Sequence, residues 1–239
     1  MILTGVASTL ASAAERAQVE ANITEAYSNL ADAGPISLRF NGSTLNGRVE
    51  TQYSGTVRLL NDISGTRVEI FQYKNGNPDR RLVSNGRTVW SYAFANNTYT
   101  AIRVPSGSSS NAARVQEALA TLVQGPAQDA LRLAREVSQR TFRPWIPGVS
   151  PVDFADPNDL RAVYNLFGRY SRGVTFELTR DENDQVRLDA LHLTSGSPIS
   201  SSDYRVLPTP DTFEITDPAF IFVPPVNARS VPYWQFPRN

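Results

Sequence analysis

The chain has 239 residues, 41% of them hydrophobic, which is enough for one domain with a sizeable core. Lysine plus arginine equals aspartate plus glutamate at 23 each and no basic run occurs, so nucleic acid is not an expected partner. With no cysteine there is no disulfide framework, thiolate nucleophile, zinc knuckle or lipid-carrying thiol, and no stretch reaches the roughly 18 consecutive apolar residues that cross a bilayer.

Met1 to Ala14 is apolar and small, and Ala11-Ser12-Ala13 resembles a signal-peptidase site, although no basic segment precedes it. It reads either as the remnant of a trimmed export signal or as the start of the helix that continues to Leu30. That helix places Val19, Ile23, Ala26, Tyr27 and Leu30 on one stripe, and Gly34-Pro35 stops it. From Ile36 the period changes to two. Ile36, Leu38 and Phe40 alternate with polar residues, 49–60 forms a long strand, and 66–73 sets Val68 and Ile70 opposite Arg67, Glu69 and Phe71.

The stretch Arg81 to Val104 organises the rest. Asn85-Gly86 and Asn96-Asn97 suit two-residue type I′ turns, predicting a three-stranded meander in which Leu82 faces Val89 and Ser91 faces Ile102. Alternation then gives one face of Leu82, Val89, Ser91, Ala93, Thr100, Ile102 and Val104, and another of Arg81, Val83, Trp90, Tyr92, Phe94, Tyr99 and Arg103. Trp90 flanked by Arg81 and Arg103 suits a solvated surface stabilised by cation–π contact, so the aliphatic face is assigned inward, toward either a packed core or a cavity.

The polar loop 105–111 caps a helix with Val115, Ala118, Leu119, Leu122 and Val123 on its buried stripe. Gly125-Pro126 opens a second helix with Leu131, Leu133, Ala134 and Val137 at helical spacing. The loop 142–156 follows, then Asp156-Pro157 predicts a third short helix presenting Leu160, Val163, Tyr164 and Phe167. Strands return over 173–194, with Val186, Leu188, Ala190 and His192 alternating against Arg187, Asp189, Leu191 and Leu193. The tail offers Phe213 and Ile215, a strand at Phe220–Phe222 and a proline-rich end.

The sum is an α+β chain: one strongly curved antiparallel sheet of about nine to eleven strands, a half-open barrel with helices covering its concave face. A single domain spans 1–239, with the N-terminal helix in 1–34, strands in 35–104, helices in 111–170, and strands and tail in 173–239. Nucleophile-elbow, phosphate-loop, dinucleotide and metalloprotease motifs do not occur, and the lone His192 leaves little material for a base or metal cluster. No enzyme activity, cofactor or metal is expected.

Two separated segments carry a family resemblance. LVSNGRTVWSY, beginning at Leu82, is similar to the "LVSDGKTLW-x-Y" segment typical of the periplasmic outer-membrane lipoprotein carriers, the LolA-like family. Phe220-Ile221-Phe222-Val223-Pro224-Pro225 resembles that family's closing "F-x-F-x-PP" strand. The chain departs from the carriers at Leu59-Leu60-Asn61-Asp62, where they end the strand in a basic residue and a proline.

The resemblance implies a periplasmic or otherwise extracytoplasmic monomer that binds the acyl chains of a lipid or lipoprotein. It also implies membrane-associated donor and acceptor proteins. The implied apolar lining is Val68, Ile70, Leu82, Val89, Ile102 and Val104 from the sheet, with Val115, Leu119 and Leu122 from the helical lid. The alternative implied by the same resemblance is a non-enzymatic sensor or interaction module, like the anti-sigma regulators of this fold.

Overall fold

The computed structural model describes residues 13–62, 65–123, 125–143, 153–154, 160, 162–166, 171–197, 200–209 and 218–237. Helix α1 (Ala13–Asp32) precedes six sequential strands: β1 (Ile36–Asn46), β2 (Val49–Asp62), β3 (Gly65–Lys74), β4 (Asn77–Ser84), β5 (Thr88–Ala93) and β6 (Thr98–Arg103). Helices α2 (Asn111–Ala120) and α3 (Pro126–Ser138) come next, then β7 (Asp153–Phe154), β8 (Ala162–Leu166), β9 (Ser171–Arg180), β10 (Val186–Ser197), β11 (Ser200–Pro208) and β12 (Arg229–Ser230). All the strands join one open, curved sheet in the order β12-β6-β5-β4-β3-β2-β1-β11-β10-β9-β8-β7. Ten of these strands have five residues or more, and a two-residue strand extends each edge. Neighbours are antiparallel except β12, which lies parallel to β6.

Helices cover the concave face because each carries one apolar stripe. Val19, Ile23, Ala26 and Tyr27 of α1 are buried against β9, β10 and α3. Two polar contacts fix that docking: the Val186 N–H donates to Glu25 Oε1 (3.0 Å), and Asn29 Nδ2 donates to the Val186 carbonyl (2.8 Å). Pro126 opens α3, whose Ala127, Ala130, Leu131 and Ala134 lie buried over β1 and β2. On the sheet side Ile36, Leu38 and Phe40 point inward as the period of two requires. Gly55 stands directly opposite Phe40, and a Cβ there would come within 2.5 Å of the Phe40 ring.

Four expectations are corrected. Both turns of the meander sit two positions away in register: Ser84 pairs with Val89, Leu82 with Ser91, and Ser91 with Thr100. The first turn centres on Gly86-Arg87, with Gly86 at φ 86° and Asn85 Oδ1 accepting from the Arg87 and Thr88 N–H groups (3.0 Å each). A slip of two preserves the side to which every residue points, so the two faces stand as assigned.

The third helix expected within 111–170 is a strand over Ala162–Leu166, paired antiparallel with β9, whereas Asp156-Pro157 and Phe167 lie outside the described residues. Val163 and Tyr164 fit a pleated surface, and pairing with β9 outweighs the local cap signal. In β10 the alternation breaks at a bulge between Leu188 and Ala190, after which Leu191 and Leu193 take the buried positions and His192 turns out to meet Asp203 (2.7 Å). Finally, Phe220–Phe222 is not a strand: Pro218–Phe220 is a 3₁₀ turn and residues 221–225 have no regular structure, in keeping with prolines at 218, 224 and 225. Phe213 and Ile215 lie outside the described residues.

Candidate functional site

The sequence-predicted lining residues come together. Val68, Ile70, Leu82 and Val89 are at most 2% exposed, and Val104 is buried. Val115 and Leu119 of α2 and Leu122 just beyond it are buried against them, all within one continuous apolar core. Ile102 differs, being partly buried at the rim. These side chains therefore form packed sheet-to-lid contacts, and open space begins at the edge beside Ile102.

Helix α2 is held at both ends by side chains that bridge to the sheet. Ser110 caps its start, its Oγ accepting from the Ala113 N–H (3.3 Å). Asn111 accepts from the Thr66 N–H and donates through Nδ2 to the Gly86 carbonyl, both at 2.8 Å, tying the helix to β3 and to the β4–β5 turn. At the other end Arg80, on the inward face of β4 with Leu82, donates through Nη1 to the Leu122 carbonyl (3.4 Å). Burial pushes the Arg80 guanidinium below its ordinary pKa, and neighbouring Asp79 offsets part of that.

The C-terminal segment 218–237 runs over the convex face and turns round the β6 edge. Phe220 is buried, and Phe222 stacks on Trp90 (centroids 5.9 Å apart, planes at 17°) and leans on Tyr99 (5.5 Å). Trp90 is thus shielded on the outer face by a ring from the tail, where an arginine sandwich was expected. Arg81 instead donates from Nε to Glu69 Oε1 (3.0 Å) and from Nη2 to the Ala219 carbonyl (3.1 Å), anchoring the tail to β4. Arg103 is exposed.

Beyond that anchor, Arg229 and Ser230 pair with β6, and the Val231 N–H donates to the Tyr99 carbonyl (2.9 Å). After the turn at Tyr233–Gln235, Phe236 drops into the core at 4% exposure. Arg80 receives it, with its guanidinium carbon 5.2 Å from the ring centroid and Nη2 donating to the Pro237 carbonyl (2.9 Å).

Between β6, α2 and this tail lies a largely apolar groove of about 750 Å³. Thr100, Ile102 and Pro105 form its sheet wall, Ala118 and Thr121 its helix wall with Glu117 beside them as the one charged side chain of the lining, and Val231, Tyr233 and Trp234 its outer wall. Tyr233 also donates to the Thr121 carbonyl (3.4 Å), joining tail to lid above the opening. The volume falls within the range of small-molecule sites, and the lining suits a hydrocarbon more than a charged metabolite.

Sequence reasoning missed Arg80, Phe236 and the tail's contribution to the groove. Strand parity with Leu82 pointed Arg80 inward, but its charge argued for solvent; nothing periodic marked 218–237. Among the described residues, no helix is long and apolar enough to cross a membrane, and no group of three or more His, Asp or Glu is placed to hold a metal ion.

No protein-family model matches the chain, and no curated protein matches it. Solved structures resemble it at low identity, two of them as follows. One is an uncharacterized conserved protein from Thermus thermophilus, with 13% identity, a TM-score of 0.39, and coverage of 90% of this chain and 99% of that one. The other is a putative outer membrane lipoprotein-sorting protein domain from Vibrio parahaemolyticus, with 9% identity, a TM-score of 0.38, and coverage of 85% and 96%. Scores this low carry no inference about ligand or activity.

Proposed function

We propose that the protein binds acyl chains and carries a lipid or lipoprotein outside the cytoplasm, without catalysis, metal or cofactor. The carrying observation is the aliphatic seam between the concave sheet and α2–α3, opening at its edge into the groove beside Ile102 and Ala118. The two lid helices contain no aromatic residue, so parting them from the sheet exposes small, smooth aliphatic surface. A hydrocarbon chain entering there regains about 0.8 kcal/mol per buried CH₂. The similarity of LVSNGRTVWSY to the lipoprotein-carrier segment supports the same reading, because Leu82 within it lies on the seam.

In this reading the protein acts as a monomer that receives its cargo from one membrane-associated protein and passes it to another. A titration with a fluorescent long-chain fatty acid tests it: saturable uptake at about one chain per protein is expected, and no uptake at micromolar protein would overturn it. A second reading, a sensor or interaction module of the same fold, is favoured by how completely Val68, Ile70, Val89 and Leu119 are already packed, at 0–1% exposure.

A further inference from the structure

A row of buried hydroxyls lies behind the groove. Ser91, Thr98 and Thr100 are 0%, 4% and 1% exposed, and their side-chain oxygens have no hydrogen-bond partner within the protein. Buried polar atoms are ordinarily partnered, since leaving one unsatisfied costs roughly 1–3 kcal/mol, so three together mark a place built to meet a polar group. They are contiguous. Ser91 and Thr100 are cross-strand partners, which brings their Cβ atoms within about 5 Å. Thr98 lies two residues from Thr100 on the same face, in the row that also holds Ala93 and Arg80. Thr100 itself lines the groove.

We propose that the groove takes a long-chain carboxylic acid with its carboxylate turned inward to the hydroxyls of Thr100, Ser91 and Thr98 and its hydrocarbon chain lying outward between α2 and the tail. The proposal rests on the acyl-binding reading and narrows its cargo to molecules with a free carboxylate. Each hydroxyl has a proton to donate, and a carboxylate offers about four lone-pair sites and no competing donor, so it satisfies the whole row at once. Arg80 stands on the adjacent row whereas Glu117 lines the outer helix wall of the groove, so an anionic head is better placed inward than at the mouth. The apolar side chains of Ile102, Ala118, Val231 and Tyr233 line the path that the chain would follow outward. The head-inward pose also separates cargoes: an acyl chain already esterified to glycerol or a protein has no free carboxylate to place there.

The test uses the full chain and displacement of 1-anilinonaphthalene-8-sulfonate by hexadecanoic acid and by its methyl ester. The acid should compete at least about tenfold more tightly than the ester, the factor expected from one charge-assisted hydrogen bond. Thr100→Val keeps the shape, removes the hydroxyl, and should weaken the acid about tenfold, narrowing the gap between acid and ester. Thr100→Ser should restore the acid, and Ser91→Ala should weaken it independently. Equal competition by acid and ester on the native chain would overturn the head-inward pose while leaving acyl binding intact. So would an unchanged affinity for the acid in Thr100→Val and Ser91→Ala. Failure of both compounds to compete would overturn the acyl-binding reading and this proposal with it.

Discussion

Arg80 and Phe236 meet as cation and ring, 5.2 Å apart, on the inward side of a strand, and the same guanidinium donates to the carbonyls of Leu122 and Pro237. One side chain of the sheet therefore holds the end of the lid and the end of the tail together. Removing it should loosen both at once. In Arg80→Met, which keeps the apolar stem, amide hydrogen exchange should accelerate jointly in 119–123 and 233–237 while α1 stays protected. Acceleration in the tail alone would show that the lid is held by other contacts.

The aliphatic seam should be intolerant of charge. Leu82→Glu or Leu119→Glu places a carboxylate at a position at most 2% exposed, and either change should abolish uptake of a fluorescent fatty acid. Trp90→Ala lies on the opposite face. It removes the Phe222 stack and should lower unfolding stability by about 1 kcal/mol beyond the lost area, with uptake retained. Circular dichroism on each variant separates lost binding from lost folding.

Close approach across β1 and β2 makes a further position sensitive. A Cβ at Gly55 would lie 2.1 Å from the Phe71 carbonyl oxygen and 2.5 Å from the Phe40 ring, and the first of these is backbone that cannot swing away. Gly55→Ala should cost about 2 kcal/mol in urea unfolding. Gly76→Ala is a contrasting control: it has no atom within 4 Å of the added Cβ but carries a positive φ of 78°, so its cost should be conformational and smaller, about 1 kcal/mol.

Tyr204, buried on β11, has its phenol pushed up to about 12, chiefly by burial, with a hydrogen bond from Ser202 acting the other way. The folded state holds this proton more tightly than the unfolded chain, whose tyrosine titrates at about 10. Its contribution to stability is complete below about pH 10 and falls away as pH rises toward about 12. Urea midpoints should decline across that window, and Tyr204→Phe should flatten part of the decline.

The elements that were legible from sequence are those whose burial repeats locally. Val19, Ile23 and Tyr27 fell on the predicted helix stripe, and Ile36, Leu38 and Phe40 on the predicted strand face, because one period decides each. The faces of the meander also stood despite wrong turn positions, since a register error of two leaves parity unchanged. What failed was set from a distance. The bulge that brings Leu191 and Leu193 into the core depends on pairing with β9, as does the strand identity of Ala162–Leu166. Arg80 was hidden for another reason: a buried arginine is reasonable only once the Leu122 and Pro237 carbonyls are known to meet it.

The most direct measurement is mass spectrometry of the full chain purified and sprayed under native conditions. Acyl binding predicts a bound species of one long-chain lipid mass per protein, released on denaturation and reduced in Leu119→Glu. A spectrum of the bare chain alone, unchanged after incubation with hexadecanoic acid or its methyl ester, would contradict it.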